Sequence, residues 1–161
     1  MALTVEDVMT GGAECLGEND SVLDAARRLA QLEVNALPIC AQDGQLKGVL
    51  TLRDVVARVV ALGEDPQKTR TADLTYGDPI VVSSDTPVET AFMTMNNHNV
   101  RYLPVTGGGR RLVGMIGMAE VLQALFVLGP GVLTEGLSYS PLAGPGDSEG
   151  GGFDWPSSLR S

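Results

Sequence analysis

The chain contains an internal repeat, in which the second half repeats the first at a constant spacing and without a gap. Asp7 and Asp73 stand 66 positions apart, as do Pro38 and Pro104. The matched positions are Asp7, Met9, Val22, Ala25, Pro38, Gly48, Val49 and Asp54 in the first copy and Asp73, Thr75, Val88, Ala91, Pro104, Gly114, Met115 and Glu120 in the second. A repeat unit this short cannot bury its hydrophobic face alone. The repeat therefore predicts a pseudo-two-fold body with clefts between the copies, where any function is expected to lie.

The repeat divides the chain into three parts. Residues 1–66 form the first copy, residues 67–128 form the second copy, and residues 129–161 form a tail. The tail is rich in Gly, Pro and Ser, and it holds the single tryptophan, Trp155. Such a composition is typical of a linker or a disordered segment, so no function is assigned to the tail.

The charge of the chain excludes some classes of partner. Its net charge is −9 and its pI is about 4.4, whereas nucleic acids and anionic membrane surfaces require a basic face. The N-terminal stretch MALTVEDVMT lacks the features of a secretion signal, and no apolar run is long enough to span a membrane. We therefore expect a cytoplasmic protein with no nucleic-acid partner and no membrane partner.

Hydrophobic periodicity predicts the order strand, helix, strand, strand, helix in each copy. The fold class is accordingly α/β (α+β), with two tandem β-α-β-β-α units related by pseudo-two-fold symmetry. The predicted first strands are residues 13–17 and 79–84, and the amphipathic helices that follow them begin at Val22 and Val88. The predicted hairpins join residues 36–40 to 46–51 and residues 102–105 to 112–116, and the closing helices are residues 52–62 and 118–128.

The closing helices are apolar around most of their circumference, which indicates burial on more than one side. The contacts between the copies use only their inner faces. We therefore expect the remaining apolar surface to pack against a second chain, which makes a homodimer.

Several motifs in combination resemble the CBS domain. V-x-x-A opens the first helix of each copy at Val22 and Val88, L-P-(I/V) lies in the second strand of each copy, and GVLTLRD runs from Gly48 to Asp54. The resemblance covers about residues 4 to 128 and is nearest to small stand-alone bacterial CBS proteins. Two CBS domains form a Bateman module, so the resemblance implies a regulatory CBS pair.

The resemblance implies an adenosine ligand in a cleft between the copies. Family members place a Thr or Ser hydroxyl on the phosphate and an Asp on the ribose diol, and Thr51 and Asp54 occupy those positions. The second copy would supply an apolar wall for the adenine and an arginine near the phosphate. The implied ligand-binding residues are Val49, Thr51, Asp54, Ile80, Val81, Arg101, Tyr102 and Pro104.

The repeat-related cleft departs from this pattern. Gly117 and Glu120 stand where Thr51 and Asp54 stand in the first copy, and Glu14 replaces the apolar Ile80. These changes disfavour an anionic nucleotide. We expect one adenosine-type ligand per chain, such as AMP, ADP or ATP, and no bound cofactor. Arg101 favours a phosphate, but the acidic chain leaves a cationic adenosyl ligand as an alternative.

A structural interpretation of the same residues stands beside the ligand hypothesis. Thr51 is a good N-cap, and Asp54 at the third helical position stabilises a helix start without any ligand. Arg101 ahead of a strand is also typical of a solvated surface charge. The alternative function is a ligand-free dimeric interaction module, and in either case the effector protein is unknown.

The chain offers no catalytic site. It has one histidine, His98, which lies near a helix end where a cation is favourable, and two separated cysteines. Neither a four-ligand zinc cluster nor a catalytic triad can be assembled from them. We therefore expect a non-enzymatic protein without a metal site.

Cys15 and Cys40 fall on the first two strands of the first copy. A right-handed crossover makes such strands parallel neighbours, so the two thiols can approach each other. Reduced, buried thiols are the default in the cytoplasm. The resemblance nevertheless makes a Cys15–Cys40 bridge a candidate disulfide, which would stiffen the second cleft and let the module respond to redox state.

Overall fold

A computed structural model describes residues 3–12, 14–75 and 77–128 of the 161-residue chain. The predictions for residues 129–161 lie outside these described residues. The helices are α1 (Val5–Val8), α2 (Val22–Leu32), α3 (Leu52–Val55), α4 (Val88–His98) and α5 (Met118–Leu128). The strands are β1 (Thr10–Gly11), β2 (Leu16–Gly17), β3 (Ala36–Cys40), β4 (Leu46–Thr51), β5 (Val82–Ser83), β6 (Tyr102–Thr106) and β7 (Leu112–Gly117).

The strands form two sheets, one built from the first copy and one built from the second copy together with β1 of the first. The first sheet has the order β2-β3-β4, and the second has the order β1-β7-β6-β5. The short strand β2 lies parallel to β3, and β5 lies parallel to β6 in the same way. The hairpins that follow, β3–β4 and β6–β7, are antiparallel. The mixed α/β class and the order of elements are confirmed, while the predicted strands at residues 13–17 and 79–84 are shorter, with ladder pairing only in β2 and β5.

Helices α2 and α4 cover their sheets as the sequence periodicity predicts. Val22, Ala25 and Leu29 are buried along α2, and residues at the equivalent positions are buried along α4. Both helices end in a left-handed residue, Glu33 at φ 54° and Asn99 at φ 53°. The buried stripe and the helix end are therefore the same in both copies.

The two copies exchange the segments that precede their first strands. The amide of Val5 donates to the carbonyl of Thr86 at 2.8 Å, and the amide of Thr71, at the repeat-related position, donates to the carbonyl of Asp20 at 3.0 Å. Val5 is buried in the core of the second copy, and Leu74 is buried in the core of the first. Each copy of the sequence therefore completes the hydrophobic core of the other.

Two glycines at repeat-related positions permit this exchange. A Cβ atom on Gly48 would lie 2.6 Å from Thr75 Cγ2, and a Cβ atom on Gly114 would lie 2.7 Å from the carbonyl oxygen of Thr10. Both sites have no room for a side chain, because the exchanged segment of the other copy passes directly over the strand.

The closing helix of the first copy differs from its prediction. The sequence predicts a single helix over residues 52–62. The structure has an α-helix, α3, only over Leu52–Val55, and the chain continues as a π-helix over Val56–Val60. β-Branched residues crowd the preceding turn of an α-helix, and this segment has four valines in six positions. The second copy has fewer valines at the matching positions, and α5 is a regular α-helix as predicted.

Among the described residues, none of the helices has the length and apolar character needed to cross a membrane.

The close approach at Gly114 generates a stability prediction. Replacing Gly114 with Ala should lower the free energy of unfolding by about 1–3 kcal/mol, because the new methyl group overlaps backbone that cannot yield without moving β1. Gly11→Ala is the matched control, since a Cβ atom there meets nothing within 4 Å, and it should change stability by less than about 0.5 kcal/mol. Urea unfolding measures both variants, and equal losses would contradict this account.

Candidate functional site

A cleft of about 270 Å³ opens between the two copies. One side is formed by β4, α3 and the π-helix of the first copy. The other side is formed by the segment that leads into β5 and by β6 of the second copy. Five of the residues predicted to bind a ligand line it: Val49, Asp54, Ile80, Tyr102 and Pro104.

Three predicted residues do not line the cleft. The Thr51 hydroxyl is held by Asp54 in a capping box. Val81 is 38% exposed. Arg101 is exposed, and its carbonyl accepts a hydrogen bond from the amide of Met118 at 2.8 Å. The structure thus brings Ile80 of the predicted apolar wall and the Asp54 carboxylate together but leaves Val81, the predicted hydroxyl and the predicted arginine outside.

Asp54 uses its two carboxylate oxygens differently. Oδ2 accepts hydrogen bonds from the Thr51 amide and the Thr51 hydroxyl, both at 2.9 Å. Oδ1 lies 3.9 Å from a guanidinium nitrogen of Arg58, and the Asp54 side chain is 25% exposed. Oδ2 therefore caps the helix, as the structural interpretation of the sequence predicts, while Oδ1 lies near the Arg58 guanidinium at the cleft.

Two cations that the motif comparison did not single out also line the cleft, Lys47 and Arg58. Arg58 lies on the π-helix, and its Nη1 donates to the carbonyl oxygen of Leu74 at 2.6 Å. A signal for both was present in the repeat, because the matching positions in the second copy are Val113 and Ala124. Lys47 precedes the GVLTLRD motif on β4 and Arg58 follows it on the closing helix, so the motif alone does not include either residue.

The second copy lacks the same arrangement at its own positions. A Cβ atom on Gly117 would lie 2.5 Å from Glu120 Oε2, so the longer carboxylate side chain fills the place where the first copy has its threonine side chain. Glu14, which stands in the place of Ile80, pairs with Arg28 at 2.8 Å. The positions related to the cleft by the repeat therefore carry two carboxylates, Glu14 paired with Arg28 and Glu120, and Val113 and Ala124 replace the two cations of the cleft.

The two cysteines meet at the edge of the first sheet. β2 and β3 are parallel neighbours, as the crossover argument predicts. The Sγ atoms of Cys15 and Cys40 lie 2.7 Å apart, and both cysteines are free thiols. Burial raises the pKa of the Cys40 thiol to about 12, and the hydrogen bond and Coulomb interaction with Cys15 add to this shift.

The described side chains of the types that can ligate a metal are dispersed. His98 lies at the end of α4, where its Nδ1 is 3.3 Å from the carbonyl oxygen of Thr94. Within residues 3–12, 14–75 and 77–128, no three His, Cys, Asp or Glu side chains lie close enough together to hold a metal ion.

Comparison with known proteins agrees with this architecture. The family model for the CBS domain matches residues 5–61 and 72–127. Hypoxic response protein 1 of Mycobacterium tuberculosis is 33% identical over 122 residues, which cover 76% of this chain and 85% of that protein.

Two solved structures of CBS proteins are also similar. CBSX2 in complex with AMP is 27% identical with a TM-score of 0.67, and the match covers 78% of this chain and 97% of that one. A CBS domain pair in complex with 5′-methylthioadenosine and S-adenosyl-L-methionine is 27% identical with a TM-score of 0.68, and the match covers 77% and 99% of the two chains. This chain therefore belongs to the CBS domain family and carries a tandem pair of CBS domains.

Proposed function

We propose that this CBS pair is a regulatory module that binds one adenosine-type ligand, such as AMP, ADP or ATP, in the cleft between its copies. The observation that carries the proposal is that Asp54 of the first copy faces the same cleft as Ile80, Tyr102 and Pro104 of the second. A carboxylate beside an apolar wall matches a nucleoside, which has a diol at one end and a flat, weakly polar base at the other.

The roles of the residues follow from their chemistry. Asp54 Oδ1 would accept hydrogen bonds from the ribose hydroxyls, since Oδ2 already accepts two from Thr51. Val49, Ile80 and Pro104 would enclose the adenine. Of the similar proteins described above, one was solved with AMP and another with two adenosyl compounds, which supports a ligand of this class.

The size of the cleft favours a ligand with a single nucleoside. Its volume of about 270 Å³ lies just below the usual range of about 300–1,000 Å³ for small-molecule sites. A dinucleotide would extend far outside such a cleft.

The ligand would act by linking the copies. Leu74 and Thr75 line the cleft and belong to the exchanged segment, so a bound ligand would contact both copies at once. Binding shifts an equilibrium only when the ligand favours one arrangement over another, and contact with both copies provides that difference. The output would pass to an effector protein, with no reaction catalysed by the module itself.

Calorimetric titration tests this proposal, with AMP, ADP, ATP, NADH and S-adenosylmethionine as ligands. Asp54→Ala should weaken binding about 10- to 150-fold, because it removes a charge-assisted hydrogen bond worth about 1.5–3 kcal/mol. Asp7→Ala is the matched control, since Asp7 accepts the same pair of hydrogen bonds from Thr4 and does not line the cleft. The control should bind the ligand as the wild type does. Absence of binding of all five ligands to the wild type would refute the proposal.

The cysteine pair favours a second candidate function, a redox-responsive module. The 2.7 Å separation of the two Sγ atoms requires a shift of less than about 1 Å to reach the bond length of a disulfide. Bond formation would release two protons and transfer two electrons to an external disulfide such as oxidised glutathione. In a reducing cytoplasm, which we propose as the location of the protein, the thiols would remain free.

Thiol counting tests the redox hypothesis. After incubation with oxidised glutathione and then unfolding without a reductant, the wild type should show no free thiols, and reduced glutathione should restore two. The bridge would raise the free energy of unfolding by about 3 kcal/mol, because it closes a loop between residues 25 positions apart. Cys15→Ser should gain no such stability. Two thiols that persist in the wild type after oxidation would exclude the bridge.

The closing helices expose an apolar face that we propose to be the interface of a homodimer. Phe126 and Val127 of α5 are 82% and 77% exposed, and Val60 on the π-helix is 66% exposed. Val60 and Phe126 occupy repeat-related positions, so both copies contribute to the face. A second copy of the chain would present the same apolar face, and the two faces would pack against each other in a two-fold dimer.

Analytical ultracentrifugation tests this interface. The wild type should sediment as a dimer at micromolar concentration, and Phe126→Glu should shift it to a monomer, because the charge would be buried against an apolar partner surface. The control is Met93→Glu, which changes an exposed apolar residue on α4 and should leave the dimer intact. A monomeric wild type would show that something else covers this face.

A further inference from the structure

Among the described residues that line the cleft, Arg58 is the cation beside Asp54. It lies one helical turn beyond Asp54, and its Nη1 is 3.9 Å from Asp54 Oδ1. The second cation, Lys47, stands near the other end of β4 and is exposed. Arg58 is thus the cation beside the carboxylate that would hold the ribose.

The position of the Arg58 guanidinium is fixed from the opposite copy. Nη1 donates to the Leu74 carbonyl oxygen at 2.6 Å, and the Arg58 side chain is 29% exposed. Leu74 is itself buried in the first core, so this acceptor lies on a well-packed segment. A guanidinium held in this way at the cleft is oriented before a ligand arrives, which lowers the entropy cost of binding.

We propose that Arg58 contacts a phosphate group of the ligand and so determines that the cleft accepts adenosine nucleotides in preference to uncharged adenosine. This inference rests on the proposed function of the same cleft. Arginine matches the oxygens of a phosphate in a bidentate geometry, which gives charge-assisted hydrogen bonds of well-defined direction.

Two comparisons within the chain support Arg58 over the other candidates. Arg101, the arginine that the family pattern favours for the phosphate, is exposed and does not line the cleft. The position related to Arg58 by the repeat holds Ala124, and the one related to Ile80 holds Glu14. The preference for a phosphate is therefore specific to one cleft of the pair.

The test compares AMP with adenosine by calorimetric titration. Arg58→Gln retains a donor for the Leu74 carbonyl but removes the charge. It should weaken AMP binding about 10- to 100-fold and change adenosine binding less than about threefold. Arg58→Lys should retain part of the preference, because it keeps the charge without the planar geometry. Arg101→Ala is the control, since Arg101 does not line the cleft, and it should leave the ratio of the two affinities close to that of the wild type. Lys47→Ala tests the other cation of the cleft and should change this ratio less than Arg58→Gln does.

Each other result overturns the inference. Equal loss of AMP and adenosine binding in Arg58→Gln would show that Arg58 only maintains the contact with Leu74. A change of the ratio in Arg101→Ala or Lys47→Ala, but not in Arg58→Gln, would assign the phosphate to another residue. A wild type that binds AMP and adenosine equally would show that no phosphate is recognised. A wild type that binds neither would refute the proposed function itself, and this inference with it.

Discussion

The reciprocal exchange of segments between the two copies is the constraint on which the rest of the structure depends. The amides of Val5 and Thr71 reach carbonyls in the opposite copy, and the apolar residues beside them enter the opposite core. Each exchanged segment passes over a strand of the other copy at a glycine, where a Cβ atom would meet the Thr75 side chain at Gly48 and the Thr10 backbone at Gly114. The same crossing places Leu74 and Thr75 at the edge of the cleft, so the architecture and the site have one cause.

Much of the fold could be predicted from the sequence because it rests on local patterns. The buried stripe of α2, the hairpin after it and the parallel pairing of β2 with β3 all follow from periodicity, turn residues and crossover handedness. The exchange could not be predicted in this way. A backbone hydrogen bond between residues as distant as Val5 and Thr86 produces no periodic pattern of residue types in either segment. The change from α-helix to π-helix after Val55 was also missed, because the apolar pattern is the same for both.

The candidate site was predicted in part, and the difference has a physical reason. Asp54 and Pro104 could be found because they lie in the GVLTLRD and L-P-V motifs, and Ile80 could be found because the family pattern places an apolar strand residue there. Thr51 and Arg101 stand at the expected positions in the sequence, but local hydrogen bonding holds the Thr51 hydroxyl in a cap, and Arg101 is exposed and does not line the cleft. Arg58 lies outside the motif, and its contact with Leu74 depends on the exchange. Residues placed by long-range contacts are those that sequence spacing describes least well.

The exchange of segments also bears on how such a chain arose. A single copy on its own would lack the segment that closes its core, and its own segment would have no place to pack. A single-copy ancestor that used the same exchange would have needed a second molecule to complete its core. In this view the present chain is a dimer joined by its linker, and covalent fusion made it possible for the two halves to diverge. Because the two halves are joined in one chain, one half carries Arg58 and the other carries Ala124, whereas identical subunits carry the same residue in both copies.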